Sequence, residues 1–232
     1  MLFRLHSFVM ELFIADLDAV GKEEEKAYAA LLNADETVRL TRMSVWRRKT
    51  FLTGRALVRD VLGQIMGLPP AAVELRLLAG GAPVLKEDGP FFNLSHSGHF
   101  VLMAVDDTPV GADIENSRSN RNIDGMVREY FDEAAKAAYF LLDPKERRSF
   151  FYRLWTMKEA ALKLKGCGGT DIPLMQGLKE APTEPVHFYS GRLFDYFFAV
   201  AGKDPLRTMQ LILKTPLKGR ESFLTPDSTL LS

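Results

Sequence analysis

Cysteine is nearly missing from this 232-residue chain: Cys167 stands alone, so no internal disulfide can form and no zinc-type spacing exists. A reducing compartment is the expectation. Net charge is missing too, because 30 Lys and Arg are matched by 30 Asp and Glu. That balance argues against nucleic acid as a partner and leaves any electrostatic function to local clusters. No run of about 18 apolar residues occurs, so no membrane span is expected. The opening segment MLFRLHSFVMELF is broken by Arg4, His6 and Glu11 and lacks the pattern of a secretory signal. A soluble cytoplasmic protein is the default.

Nearly half of the residues are hydrophobic, enough for a sizeable core. Residues 8–15 read as an opening strand and 22–32 as a charged, periodic helix. Residues 43–67 form the clearest early helix, with Phe51, Val58, Val61, Leu62 and Ile65 at helical spacing and Gly67 before two prolines as its stop. Arg48, Arg55 and Arg59 fall on one arc of that helix, where a solvated face is the plain explanation. Strands are expected at 73–78, 83–85, 91–95, 99–105, 186–190, 195–201 and 207–214. One helix is expected over 123–142 and another from near Lys145 to Gly166, with a polar tail closing the chain. HFVLMAV and DYFFAVA occupy similar places in two similar successions of elements, which suggests two related α+β halves joined near Asp107–Pro109.

Three stretches stand out. In VGADIE (110–115), Asp113 and Glu115 are two apart on a strand, so both face one side, about 7 Å apart. Like charges there raise each other's pKa unless a cation lies between them, and Mg²⁺ suits an oxygen-only site. Two solvated acids at a strand end would give the same letters. In WTMKEAALK (155–163), Trp155, Glu159 and Lys163 share a helix face with Lys158 beside it; an ordinary i,i+4 ion pair is the alternative. In FFNLSHSGHF (91–100), Ser95, His96, Ser97 and Gly98 form a polar turn able to cradle phosphate, or simply a hairpin turn. A Ser–His hydrolase is disfavoured, since adjacent residues of an extended chain point apart and no G-x-S-x-G elbow is present.

Taken together and in this order, FNLSHSG, VGADIE and WTMKEAALK resemble the motifs of the surfactin-synthetase-type 4′-phosphopantetheinyl transferases. GRALVR (54–59) and ADETVRLTR (34–42) add to the resemblance, which covers residues 34 to 172. It implies an α+β fold of two similar halves about a pseudo-twofold, 1–108 and 109–232, with coenzyme A in the cleft between them. It implies Mg²⁺ held by Asp113, Glu115 and Glu159. Coenzyme A contacts would come from Arg39, Pro83, Asn93, Ser95, His96, Asp113, Lys158 and Lys163, with Glu159 and Lys163 as the catalytic pair. The substrates would be coenzyme A and the serine of an apo acyl or peptidyl carrier protein, the by-product 3′,5′-ADP, and the protein a monomer. A carrier-binding relative without transferase activity and a Mg²⁺-dependent phosphohydrolase are the alternatives.

Two departures matter. Ala112 replaces a branched residue and predicts only a packing change. Ala82, in GGAPVL, stands where many relatives carry a lysine near coenzyme A, which predicts weaker binding unless Arg76, Lys86 or the Arg48–Arg55–Arg59 face compensates. Cys167 has no partner in the sequence and is read as structural.

Overall fold

Runs of uninterrupted apolar residues become strands buried on both faces in this computed structural model, which describes residues 10–78, 81–166, 185–203, 210–224 and 227–231. The first half runs β1 (Glu11–Asp16), α1 (Lys22–Ala29), α2 (Ala34–Thr41), α3 (Val45–Met66), β2 (Leu75–Leu77), β3 (Pro83–Leu85), β4 (Phe91–Ser97) and β5 (Phe100–Asp106). The second runs β6 (Val110–Asn116), α4 (Ile123–Tyr130), α5 (Glu133–Leu141), α6 (Pro144–Leu164), β7 (His187–Leu193), β8 (Tyr196–Gly202), β9 (Gln210–Thr215), β10 (Arg220–Leu224) and β11 (Asp227–Leu231). The fold is mixed α+β.

Two main sheets form, in the orders β10-β9-β1-β5-β4 and β11-β7-β8-β6, beside a small β2–β3 ribbon. Strand alternation sets the layers. Phe13, Ala15, Val101, Met103 and Val105 meet Leu57, Val58, Val61 and Leu62 of α3. The intervening residues Leu12, Ile14, Leu102 and Ala104 meet Val110, Ala112, Ile114, Phe198 and Val200 of the second sheet. The far side of that sheet carries Phe197 against Phe151, Tyr152 and Trp155. The order is thus α3, sheet, sheet, α4–α6. The chain also crosses back: β9 pairs parallel to β1, so strands late in sequence complete the first sheet.

Three expectations are corrected. The single helix over 123–142 is two helices, because Asp132 accepts a hydrogen bond from Ala135 N at 2.8 Å and starts α5. Phe131 before it turns extended and stacks on Phe151. The polar tail contains two strands, β10 and β11, which find sheet edges that local sequence does not announce. The arginine face of α3 is solvated only at Arg48: Arg55 and Arg59 are buried on Glu36, at 2.8 and 2.7 Å. Glu36 also closes the capping box of α2 with Asn33, so one carboxylate ties two helices together. Among the described residues no helix is long and apolar enough to cross a membrane.

Candidate active site

The edge of β4 meets the edge of β6, and side chains rather than a backbone ladder join them. Ala112 N donates to Asn93 Oδ1 at 3.1 Å, Ile114 N to Ser95 Oγ at 3.4 Å, and Asn116 N to Ser97 Oγ at 3.0 Å. Buried N–H groups need acceptors, and three short polar side chains at period two supply what a neighbouring strand would. The polar turn expected at 95–98 is therefore mostly strand, since β4 continues to Ser97 and only Gly98–His99 turn. Gly98 has φ +51, and a Cβ on it would lie 2.4 Å from the Tyr196 hydroxyl. That hydroxyl in turn accepts from His99 N at 3.1 Å.

The same serines reach the carboxylates. Ser95 Oγ donates to Asp113 Oδ1 at 2.7 Å, and Ser97 Oγ to Glu115 Oε2 at 3.0 Å. Lys163 of α6 completes the knot, donating to Asp113 Oδ1 at 2.7 Å, Ser95 Oγ at 2.9 Å and Ala112 O at 3.1 Å. All three ammonium donors are used. Asp113 Oδ2 is buried without a hydrogen-bond partner among the described residues. Glu115 is gripped by Arg121, Nη1 to Oε1 at 2.8 Å and Nη2 to Oε2 at 2.9 Å. Arg121 carries no signal in the sequence, since a place in a loop six residues after Glu115 is ordinary.

Gly111 explains how α6 comes so close. A Cβ there would sit 2.0 Å from Ala160 O and 2.4 Å from Leu164 N. The helix backbone therefore rests on the strand, at the residues that directly follow Glu159 and Lys163. Gly111→Ala is expected to cost about 1–3 kcal/mol by overpacking, read by urea denaturation. It should also depress any activity that needs Lys163 at Asp113; unchanged stability would mean α6 shifts freely.

Electrostatics follow from this crowding. Burial, then Asp113 and Glu115, push Glu159 up to about 7 from 4.5, only partly offset by Lys163 and Arg121. Burial and Asp113 raise Glu115. Desolvation, then the cations Lys163 and Arg47, hold His96 below its ordinary value, so it is mostly neutral at pH 7.

The donor set is all oxygen, which suits a hard divalent cation, and the bare Asp113 Oδ2 is an open ligand position. As the side chains stand, no three His, Cys, Asp or Glu among the described residues gather tightly enough to hold a metal. Instead, Lys163 holds one oxygen of Asp113, and Arg121 holds both oxygens of Glu115.

Other residues singled out above lie elsewhere. Lys158 turns to Asp132, 3.8 Å away, and to the Phe131 ring. Trp155 is buried between Tyr130 and Phe151. Asn93 is engaged by Ala112 N, and Pro83 opens β3. Lys86 pairs with Glu74 at 2.6 Å, while Arg48 and Arg76 are exposed. Arg39 lies over the Phe51 ring and against Gly81, where a Cβ would come within 3.4 Å of its Nη2. Its guanidinium is thus beside the position of the missing lysine, Ala82. Cys167 lies outside the described residues.

Comparison with known proteins adds the following. Residues 109–198 match the 4′-phosphopantetheinyl transferase superfamily, and residues 21–108 match the family described as 4′-phosphopantetheinyl transferase, N-terminal. The chain is 32% identical over 163 residues to the 4′-phosphopantetheinyl transferase HetI of Nostoc sp., covering 68% of each chain. It is 30% identical over 190 residues to gsp of Aneurinibacillus migulanus, covering 76% of this chain and 73% of the relative. To psf-1 of Bacillus pumilus it is 41% identical over 123 residues, a match spanning about half of each chain (52% and 51%).

Proposed function

The chain belongs to the 4′-phosphopantetheinyl transferase superfamily, and on that premise we propose that it moves the 4′-phosphopantetheine arm of coenzyme A onto a serine of an apo acyl or peptidyl carrier protein. The observation that carries the reading is the knot of Ser95, Asp113 and Lys163 at the seam of the two sheets, with Glu159 one helical turn from Lys163. The segments 1–108 and 109–232 are read as related halves, with β9 and β10 of the second lent to the sheet of the first, and coenzyme A lies over the seam of the two sheets.

In the reaction the carrier serine oxygen forms a bond to the phosphorus bearing the pantetheine arm. The bond from that phosphorus to the bridging oxygen breaks, and 3′,5′-ADP leaves with the electron pair. Such transfers need alignment and charge neutralisation more than covalent help. Glu159 takes the serine proton, as a carboxylate within reach of the hydroxyl can. Lys163, aimed by Asp113 and Ser95, meets the charge that develops on the phosphate oxygens. Neutral His96 offers a hydrogen bond to a phosphate oxygen instead of a charge. Asp113, Glu115 and Glu159 would hold Mg²⁺, which supplies neutralisation of the pyrophosphate when bound.

The test is to incubate the protein with coenzyme A, Mg²⁺ and a panel of apo carriers and to weigh each carrier. A gain of one phosphopantetheine arm is expected. No gain on any carrier sinks the reading. Release of 3′,5′-ADP without a carrier would instead indicate a phosphohydrolase.

Arg39 is assigned to the 3′-phosphate end of coenzyme A, supported by its place against Gly81. Arg39→Ala is expected to raise KM for coenzyme A about tenfold with little change in kcat, the loss of one charge-assisted contact. Adding Ala82→Lys to that variant should recover most of the affinity. A fall in kcat instead of a rise in KM would contradict the assignment.

A further inference from the structure

Glu115 and Asp113 are not equivalent in this structure. Asp113 gives one oxygen to Lys163 and keeps Oδ2 bare. Glu115 gives both oxygens to the fork of Arg121, at 2.8 and 2.9 Å. Bidentate pairing of this kind is the strongest geometry that two such side chains have. We infer that Arg121 is a built-in competitor for the divalent cation at Glu115, an internal counter-ion that must leave before that carboxylate can serve as a ligand. The inference rests on the metal reading above and adds a residue that controls it.

Charge decides the competition. A guanidinium and a divalent ion on one carboxylate repel at close range, and partial burial strengthens that repulsion. Lys163 is the lesser conflict, because it uses only Oδ1 of Asp113 and leaves Oδ2 bare. The structure also offers Arg121 somewhere to go. It sits in the 117–122 connection between β6 and α4, with its side chain 31% exposed. The same side chain borders a cavity of about 360 Å³, whose wall includes Asp124 and Tyr139 together with the cations Arg147 and Arg148. Asp124, already the acceptor for the Tyr139 hydroxyl at 2.6 Å, offers a carboxylate to the displaced guanidinium. Ser97 would stay with Glu115 in either state, since its hydrogen bond and the Arg121 fork use different lone pairs.

The chain therefore carries its own cap on Glu115. Metal affinity is set by the difference between ion binding and the Arg121 pair.

The test uses Mn²⁺ alone, titrated into the full chain without coenzyme A and followed by electron paramagnetic resonance. Arg121→Gln is expected to bind Mn²⁺ about fivefold or more tightly than the wild type, the low end of coupling between linked ligands. Arg121→Lys, charged but unable to fork, should fall between them. Circular dichroism confirms that each variant is folded. Equal or weaker binding in Arg121→Gln, with binding still lost in Asp113→Asn, overturns the inference alone and makes Arg121 a support for Glu115. Binding that is absent, or indifferent to Asp113→Asn, overturns the metal reading with it.

Discussion

Glu159→Gln is expected to make the metal-free protein more stable at pH 8 and nearly inactive. The stability effect follows from a pKa pushed up to about 7 from 4.5. The folded state holds the proton more tightly than the unfolded chain does. The stabilisation is therefore complete below about pH 4.5 and is lost as pH rises through about 7. Glutamine cannot ionise and escapes that loss. Discounted for partial solvent screening, the gain at pH 8 is about 2 kcal/mol, fading to nothing near pH 4.5. Urea denaturation at the two pH values measures it. Activity should move the other way, by about 10²–10⁴, because the carrier serine loses its proton acceptor. A variant that keeps transfer would remove Glu159 from the chemistry; one equally unstable at pH 8 would show that its burial is relieved by solvent.

Lys163→Met carries the second large effect. Lys163 and Asp113 are 16% and 7% exposed at the side chain and 2.7 Å apart. Removing one partner of a buried pair leaves an uncompensated charge, typically at a cost of about 3–5 kcal/mol. Solvent reaches Lys163 somewhat, so about 3 kcal/mol is expected. Transfer should fall by about 10²–10³, the worth of one preorganised electrostatic contact. The double variant Asp113→Asn, Lys163→Met separates the two consequences. It has no stranded charge and should recover most of the stability, while transfer stays lost. Additive destabilisation in the double variant would mean that the pair is not coupled.

The legible part of this fold was the part written in local periodicity. The run FVLMAV forms β5, and the capped stretch ending at Gly67 forms α3. VGADIE forms a strand with both acids on the face toward α6, as alternation requires. The break at Asp132 hides in an apolar helical pattern that continues through Phe131; the Asp132 cap and the stacking of Phe131 on Phe151 together make two helices. The strands β10 and β11 were missed because a polar segment becomes a strand only when an edge waits for it.

At the site the division is similar. Residue types and spacings in FNLSHSG, VGADIE and WTMKEAALK, read by resemblance, were enough to choose a family, and the comparisons bear that out. They were not enough to give each residue its partner. Ser95 and Ser97 read as part of a phosphate cradle, yet each is engaged by an N–H of β6, as Asn93 is. Arg55 and Arg59 read as surface charge, yet Glu36 buries both.

What the sequence determined by itself was the alternation and periodicity of its elements, the family, and the side chains available for chemistry. Tertiary structure alone decided which charges meet. Pairing depends on distances between segments far apart in the chain, such as Ser95 and Lys163, 68 positions apart and 2.9 Å in space. Local pattern carries no information about such distances; Gly111 sets this one, by letting a helix backbone lie against a strand.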